Sequence, residues 1–285
     1  MRDRLVNYLR LIRFDRPIGT LLLLWPTLWS LFIAAHGHPP LRLIIVFTLG
    51  VFLTRAAGCV INDLFDVEFD RHVTRTMNRP LVLKTVTKWE AVLVATALLV
   101  IAFGIAYVSL TWHTLLLSIP ALLILASYPL MKRFFAMPQA YLGVAYSFGS
   151  LMAYMEVTDS LSFICWLLFI ANLFWCLGYD TIYAMVDMND DVKIGMHTSA
   201  ITLGDKVASF VFGCYITFVI LMAVVAVLSK LSWIFWILWL LSLLLLIYQV
   251  IALTTSDRLK WFKMFLLNNR VGYIMLLAVI LGLWF

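Results

Sequence analysis

The sequence predicts an all-α, polytopic membrane protein with nine transmembrane helices, and three observations carry that prediction. Of its 285 residues, 64% are hydrophobic and only 13% are charged, too few charges to cover a soluble domain of this size. Apolar runs of about 20 residues, each long enough to cross roughly 30 Å of hydrocarbon as a helix, recur from end to end. The connections between them alternate between Arg/Lys-rich and nearly free of basic residues, the asymmetry that orients a polytopic chain.

Taken in order, the spans are predicted at 17–36, 41–65, 89–109, 112–131, 138–156, 161–187, 206–229, 231–253 and 265–285. The first starts at RPIG (16–19), where Pro17 opens a helix, and ends at HGHPP (36–40). The second runs into the acidic stretch NDLFDVEFD (62–70), and a long polar connection, 66–88, leads to the third. SLTW (109–112), KRFFAMP (132–138) and EVTDS (156–160) separate the third to sixth spans. The sixth ends in a second acidic stretch, with a connection at 187–205; the turn at Ser229–Lys230 and the connection 254–264 divide the last three.

With an odd number of spans the termini lie on opposite sides. A cytoplasmic N-terminus places Arg2, Arg4, Arg10, Arg13, Arg16, Arg71, Arg75, Arg79, Lys84, Lys88, Lys132, Arg133, Lys193, Lys206, Arg258, Lys260, Lys263 and Arg270 inside, that is 18 of the 21 basic residues. The predicted topology is therefore N-in and C-out. The net charge of +6 reads as topology and attraction to anionic lipid, not as a nucleic-acid surface. One membrane domain, 1–285, fills the chain, with no linker or low-complexity segment. The apolar N-terminal run is read as a retained span rather than a cleaved signal peptide. Cys59, Cys165, Cys176 and Cys214 lie within or at the ends of spans without paired spacing, and read as packing residues. The sequence leaves the oligomeric state open.

Two acidic stretches break the hydrophobic pattern. On a helix, Asn62, Asp66 and Asp70 fall at i, i+4, i+8 and share a face, which Asp63 also approaches and which Arg55 and Cys59 continue into the bilayer. The second stretch, YDTIYAMVDMNDDVKIG (179–195), puts Asp180, Tyr183, Asp187 and Asp191 at i, i+3, i+7, i+11, with Asp190 near the stripe. An aspartate costs about 2.5–3.5 kcal/mol at the centre of a membrane helix, and less near the interface, so something has to neutralise these groups. Two stripes of hard oxygen donors on one membrane side suit Mg²⁺ shared with phosphate oxygens. The plainer reading is charge pairing, with Asp66 and Asp70 bridged to Arg71, Arg75 and Arg79. His72 and His197 lack the spacing of a zinc pair and read as loop histidines.

The runs RFDRP (13–17), DRHVTRTMNRP (70–80), MKR (131–133) and VKIG (192–195) bring Arg and Lys toward the same face, Arg16, Lys132, Arg133 and Lys193 among them, where they can take the charge of a diphosphate. An isoprenyl diphosphate would put its head at this rim and its chain between helices, against some of the 20 Phe, 11 Trp and 11 Tyr.

These stretches, together with RPIGTLLLLWPTLW, RAAGCVINDLFD, RTMNRPL and YPLMKR, resemble the UbiA-type intramembrane prenyltransferases over residues 13–205. The resemblance implies a bundle of nine helices around a central cavity, open to lipid under a cytoplasmic cap, in the inner membrane of a bacterium. It implies Mg²⁺-dependent transfer of a polyprenyl chain from polyprenyl diphosphate to the carbon ortho to the phenol of 4-hydroxybenzoate, a step of ubiquinone biosynthesis. It assigns Asn62, Asp66 and Asp70 to the first Mg²⁺–diphosphate motif, Asp187 and Asp191 to the second, and Arg133 to substrate binding at the cap. Many members place a basic residue directly after the last Asp; here Val192 intervenes before Lys193. Asp180 or Asp187 is the candidate to take the ring proton. Arg55 is a candidate partner for the acceptor carboxylate, or for Asp63 or Asp66. The rival readings are a sibling enzyme acting on haem, a menaquinone precursor or homogentisate, and a cation-coupled transporter. A CDP-alcohol phosphotransferase is excluded because its leading D-G-x-x-A-R is missing.

Overall fold

A computed structural model describes residues 2–131, 133–255 and 257–285. The elements are α1 (Arg2–Leu11), α2 (Ile18–Ala34), α3 (Leu41–Asp70), α4 (Lys88–Ser109), α5 (Trp112–Met131), α6 (Pro138–Thr158), α7 (Phe163–Lys193), α8 (Ser199–Leu203), α9 (Val207–Leu228), α10 (Trp233–Ala252) and α11 (Arg258–Trp284). A single 3₁₀ turn, Gly204–Lys206, joins α8 to α9.

Helix starts follow local chemistry. Thr87 and Glu90 form a reciprocal capping box at the head of α4, which satisfies two otherwise orphaned donors. Ser162 accepts from Cys165 N at α7, Thr198 from Ile201 N at α8, and Asp257 from Leu259 N and Lys260 N at α11. Pro138 occupies the first turn of α6, where its missing N–H costs nothing. α6 ends at Asp159, whose φ of 51° turns the chain back.

Every predicted span coincides with a helix. Among the described residues, seven are long and apolar enough to cross a membrane: α3, α4, α5, α7, the α8–α9 stretch, α10 and α11. α2 is shorter, at 17 residues, and α6 carries Gln139, Ser147, Ser150 and Glu156 among its apolar residues. Three boundaries differ from the hydropathy reading: α11 already begins at Arg258, so 258–264 of the expected connection is helix. α3 and α7 continue as helix to Asp70 and Lys193, through acidic turns that lower hydropathy without breaking the backbone pattern. The segments 66–70 and 187–193 are therefore helix rather than loop.

The long helices close a ring: α2 packs on α3, α6 and α11; α5 on α3 and α6; α7 on α6, α9 and α11; and α10 on α9 and α11. Its aromatic core is Trp29, Trp175 and Phe218, with Trp175 and Phe218 stacked at 5.7 Å between ring centres. In lipid, polar groups inside the bundle need partners within the protein. Asn268 supplies them, accepting from Trp175 Nε1 at 3.1 Å and from the Tyr215 hydroxyl at 3.2 Å, and donating to Gln249 Oε1 at 2.7 Å. All four cysteines are free thiols and buried, as packing residues would be.

Candidate active site

The acidic ends of α3 and α7 meet across one cavity of about 280 Å³ at one end of the bundle. Six aspartates (Asp63, Asp66, Asp70, Asp180, Asp187 and Asp191) and five arginines (Arg13, Arg16, Arg55, Arg75 and Arg79) line it, together with Asn62 and Tyr183. Helical periodicity alone brings each aspartate set to the cavity, because α3 and α7 each present a single face to it.

The arginines arrive from two other segments. Arg13, in the turn after α1, reaches both oxygens of Asp63 at 2.7 and 2.8 Å. The irregular segment 71–87 folds back beneath the mouth of the cavity, so Arg79 bridges Asp63 at 2.9 Å and Asp70 more closely still. Arg75 grips Asp187 through Nε and Nη2 at 2.6–3.2 Å, and lies over the Tyr183 ring at 4.6 Å. Burial acts to lower the pKa of Arg75, but Tyr183 and the Asp187 carboxylate outweigh it and hold the group above the ordinary arginine value. Charge pairing is thus present, although Arg71 pairs with Glu68 instead, at 2.8 Å.

Arg55 differs from the other arginines. It sits part-way down α3, facing the Cys59 thiol at 2.8 Å and the Tyr146 ring at 5.8 Å, and its Nε is buried without a hydrogen-bond partner. Among the described residues it forms no ion pair, since Asp63 is taken by Arg13 and Arg79. An arginine at membrane depth with no carboxylate beside it is costly and marks a place for an anion. Next to it the cavity wall is aromatic: Tyr128, Tyr146, Tyr179, Tyr183, Phe262 and Phe265, with Tyr183 and Phe265 at 4.5 Å between ring centres.

Two further sequence candidates, Lys193 and Arg133, do not line this cavity. Lys193 is 75% exposed and lies 3.9 Å from Asp190, which also faces Arg258 at 3.8 Å, so that trio tethers α7 to α11. Arg133 donates to Phe65 O at 3.1 Å and lies over the ring of Phe69, itself a cavity-lining residue, at 5.3 Å. Lys132 lies outside the described residues. Sequence reasoning named Arg75 and Arg79 only as charge partners of the aspartates, and Arg13 only within the basic run 13–17. The i, i+4 spacing of Arg75 and Arg79 within DRHVTRTMNRP was the available signal.

The donor set suits Mg²⁺. Asn62, Asp66, Asp70, Asp187 and Asp191 offer only hard oxygens, and all reach one cavity. Among the described residues no three acidic, His or Cys groups converge into a closed metal cage.

The sequence matches the model of the UbiA prenyltransferase family over residues 23–284, and the chain belongs to that family. It is 46% identical over 279 residues to the 4-hydroxybenzoate octaprenyltransferase of Nitrosomonas eutropha, covering 98% of this chain and 97% of that protein. The enzyme of the same name from Aromatoleum aromaticum is 46% identical over 281 residues, 99% and 95% of the two chains. Among solved structures, a UbiA homologue from Aeropyrum pernix K1 superimposes with a TM-score of 0.82 at 26% identity, covering 93% and 98% of the chains. A homologue from Archaeoglobus fulgidus bound to GPP and Mg²⁺ shares the fold, with a TM-score of 0.70 at 20% identity over 96% and 99%.

Proposed function

We propose that this protein transfers a polyprenyl chain from its diphosphate to the carbon ortho to the hydroxyl of 4-hydroxybenzoate, a step of ubiquinone biosynthesis. We place it as a multi-pass protein of a bacterial inner membrane, with the cavity mouth towards the cytoplasm. One observation carries the reading: a single cavity joins two aspartate-bearing helix ends and half-buried guanidiniums at its mouth to an aromatic wall and to Arg55, which has no ion pair among the described residues, deeper in. Its near-full-length relatives named 4-hydroxybenzoate octaprenyltransferase support the choice of acceptor.

In this reading the donor's diphosphate enters between the ends of α3 and α7. Its oxygens compete with Asp63, Asp70 and Asp187 for Arg13, Arg79 and Arg75, guanidiniums already turned towards the space. Asn62, Asp66, Asp70, Asp187 and Asp191 would hold Mg²⁺, which when bound supplies positive charge to the departing diphosphate. The allylic carbon, increasingly cationic as its C–O bond lengthens, faces the rings of Tyr179, Tyr183 and Phe265. The buried aromatic wall excludes water that would otherwise capture it. Arg55 pairs with the acceptor carboxylate and so presents the phenol ring edge-on to that carbon. Asp180 or Asp187, on one stripe of α7 and lining the same cavity, takes the proton the ring sheds.

The test uses purified protein in detergent with labelled 4-hydroxybenzoate and geranyl diphosphate, with Mg²⁺ or with excess EDTA. Prenylated 4-hydroxybenzoate is expected with Mg²⁺ and not with EDTA. No product with any of several donor lengths, from protein shown to be folded, would overturn the acceptor assignment. Diphosphate released only with a different aromatic acceptor would replace 4-hydroxybenzoate and retain the prenyl transfer.

A further inference from the structure

α1 lies beside the ring of long helices and meets it along one face. Tyr8, Leu11 and Ile12 pack in a small cluster with Val60 and Val67 of α3 and Ala91 of α4. Arg4 and the Tyr8 hydroxyl both donate to Glu90 Oε1, at 2.7 and 2.8 Å. At the far end Arg13 takes a φ of 59° and Phe14 N donates to Leu9 O at 2.9 Å, a helix-closing turn that more often carries glycine. The same turn delivers Arg13 to Asp63.

The remaining surface of α1 is of two kinds. On a helix Leu5, Val6 and Leu9 fall together, away from Tyr8 and Leu11, and Leu5 is 60% and Val6 38% exposed. Phe14, just past the closing turn, is 58% exposed. Asp3, Asn7 and Arg10 make a third side, with Asp3 and Arg10 exposed. A helix between a protein and water needs one apolar face. A second, bare and next to a charged one, suits a helix that lies in the membrane surface with its apolar side in the acyl boundary. Glu90 sets its level. The neighbouring Trp89, in the first turn of α4, is 80% exposed, as befits an indole at the headgroup level of a membrane helix. Exposed cations gather on the elements that meet here: Arg4 and Arg10 on α1, Lys88 in the first turn of α4 and Lys84 just before it.

We propose that α1 is a membrane-surface helix that docks on anionic lipid, with Leu5, Val6 and Leu9 in the acyl boundary and the surrounding cations on the headgroups. Charge selects this occupant. A second copy of the chain would set these cations against their equals, whereas an anionic leaflet complements them. Position selects it too. α1 is tied to Glu90 at the turn where α4, one of the membrane-length helices, begins, so its bare side is beside lipid rather than in open water.

In the experiment Leu5→Cys and Asp3→Cys are each labelled with an environment-sensitive fluorophore in the whole chain, reconstituted into nanodiscs of phosphatidylcholine and phosphatidylglycerol in equal parts. The four native thiols are buried; label taken up by the unchanged protein gives the background, and thermal melting checks folding. A doxyl group on the acyl chains of one lipid or the other is the quencher. Quenching of Leu5→Cys is expected to exceed that of Asp3→Cys by about twofold or more, since the seated side reaches the acyl boundary and the polar side does not. Doxyl-phosphatidylglycerol should quench Leu5→Cys about twofold more than doxyl-phosphatidylcholine, an excess that Arg10→Gln in the same chain reduces. Equal quenching at the two positions, or none at Leu5→Cys, would overturn the seat and leave the face open to a soluble protein. Equal quenching by the two lipids would overturn the recognition of anionic lipid.

Discussion

Asp66→Ala is expected to lower kcat by about 10³-fold, in line with removing a group that faces charge developing in a water-excluded site. Asp191→Ala is expected to do the same from the facing helix. The two belong to one ion–diphosphate site, so the double variant should lose little more than either single variant, the non-additivity of groups that act as a unit. Independent structural roles would give losses that multiply. Both positions line the cavity, on the facing ends of α3 and α7. Steady-state kinetics at saturating Mg²⁺, with thermal melting of each variant, is the measurement.

The second large effect is at Arg55. Arg55→Ala should reduce kcat/KM for 4-hydroxybenzoate by about 10²–10³-fold, the range for loss of one partner of a desolvated ion pair. The loss should appear mainly in the KM for the acceptor. An acceptor without a carboxylate, such as 4-hydroxybenzyl alcohol, should lose far less, so the variant's preference for the acid collapses. Arg55→Lys should fall between, since it keeps the charge but not the planar two-pronged donor. Melting temperature should hold or rise, because among the described residues the guanidinium faces the Cys59 thiol and the Tyr146 ring and forms no ion pair. A lowered melting temperature with an unchanged acid preference would make Arg55 a structural residue.

Much of this site was legible in the sequence, for a specific reason. Asn62, Asp66 and Asp70 share a face wherever α3 is helical, as do Asp180, Tyr183, Asp187 and Asp191 on α7, so periodicity alone fixed which residues look into the cavity. Helix ends were less legible: hydropathy falls at the first carboxylate, while the helix runs on to Asp70 and to Lys193. Pairing partners were the least legible. Arg13 meets Asp63 across 50 positions and Arg75 meets Asp187 across 112, and the irregular path of 71–87 that brings Arg79 back to Asp63 has no period to read. Lys193 shows the converse error. Three residues beyond Asp190 on one helix it joins that carboxylate, and the turn that displaces it from the stripe leaves it exposed. Aromatic cavity residues such as Tyr179 and Phe265 could not be told from the Trp, Tyr and Phe that any membrane protein carries at its interfaces.

The most direct test of the central claim, that the two aspartate stripes form one diphosphate site, is equilibrium binding of an unreactive donor, geranyl thiolodiphosphate, to the intact protein. Expected is saturable binding that needs Mg²⁺ and is weakened alike by Asp66→Ala and Asp191→Ala. Binding that is indifferent to Mg²⁺, or that survives unchanged in either variant, would contradict it.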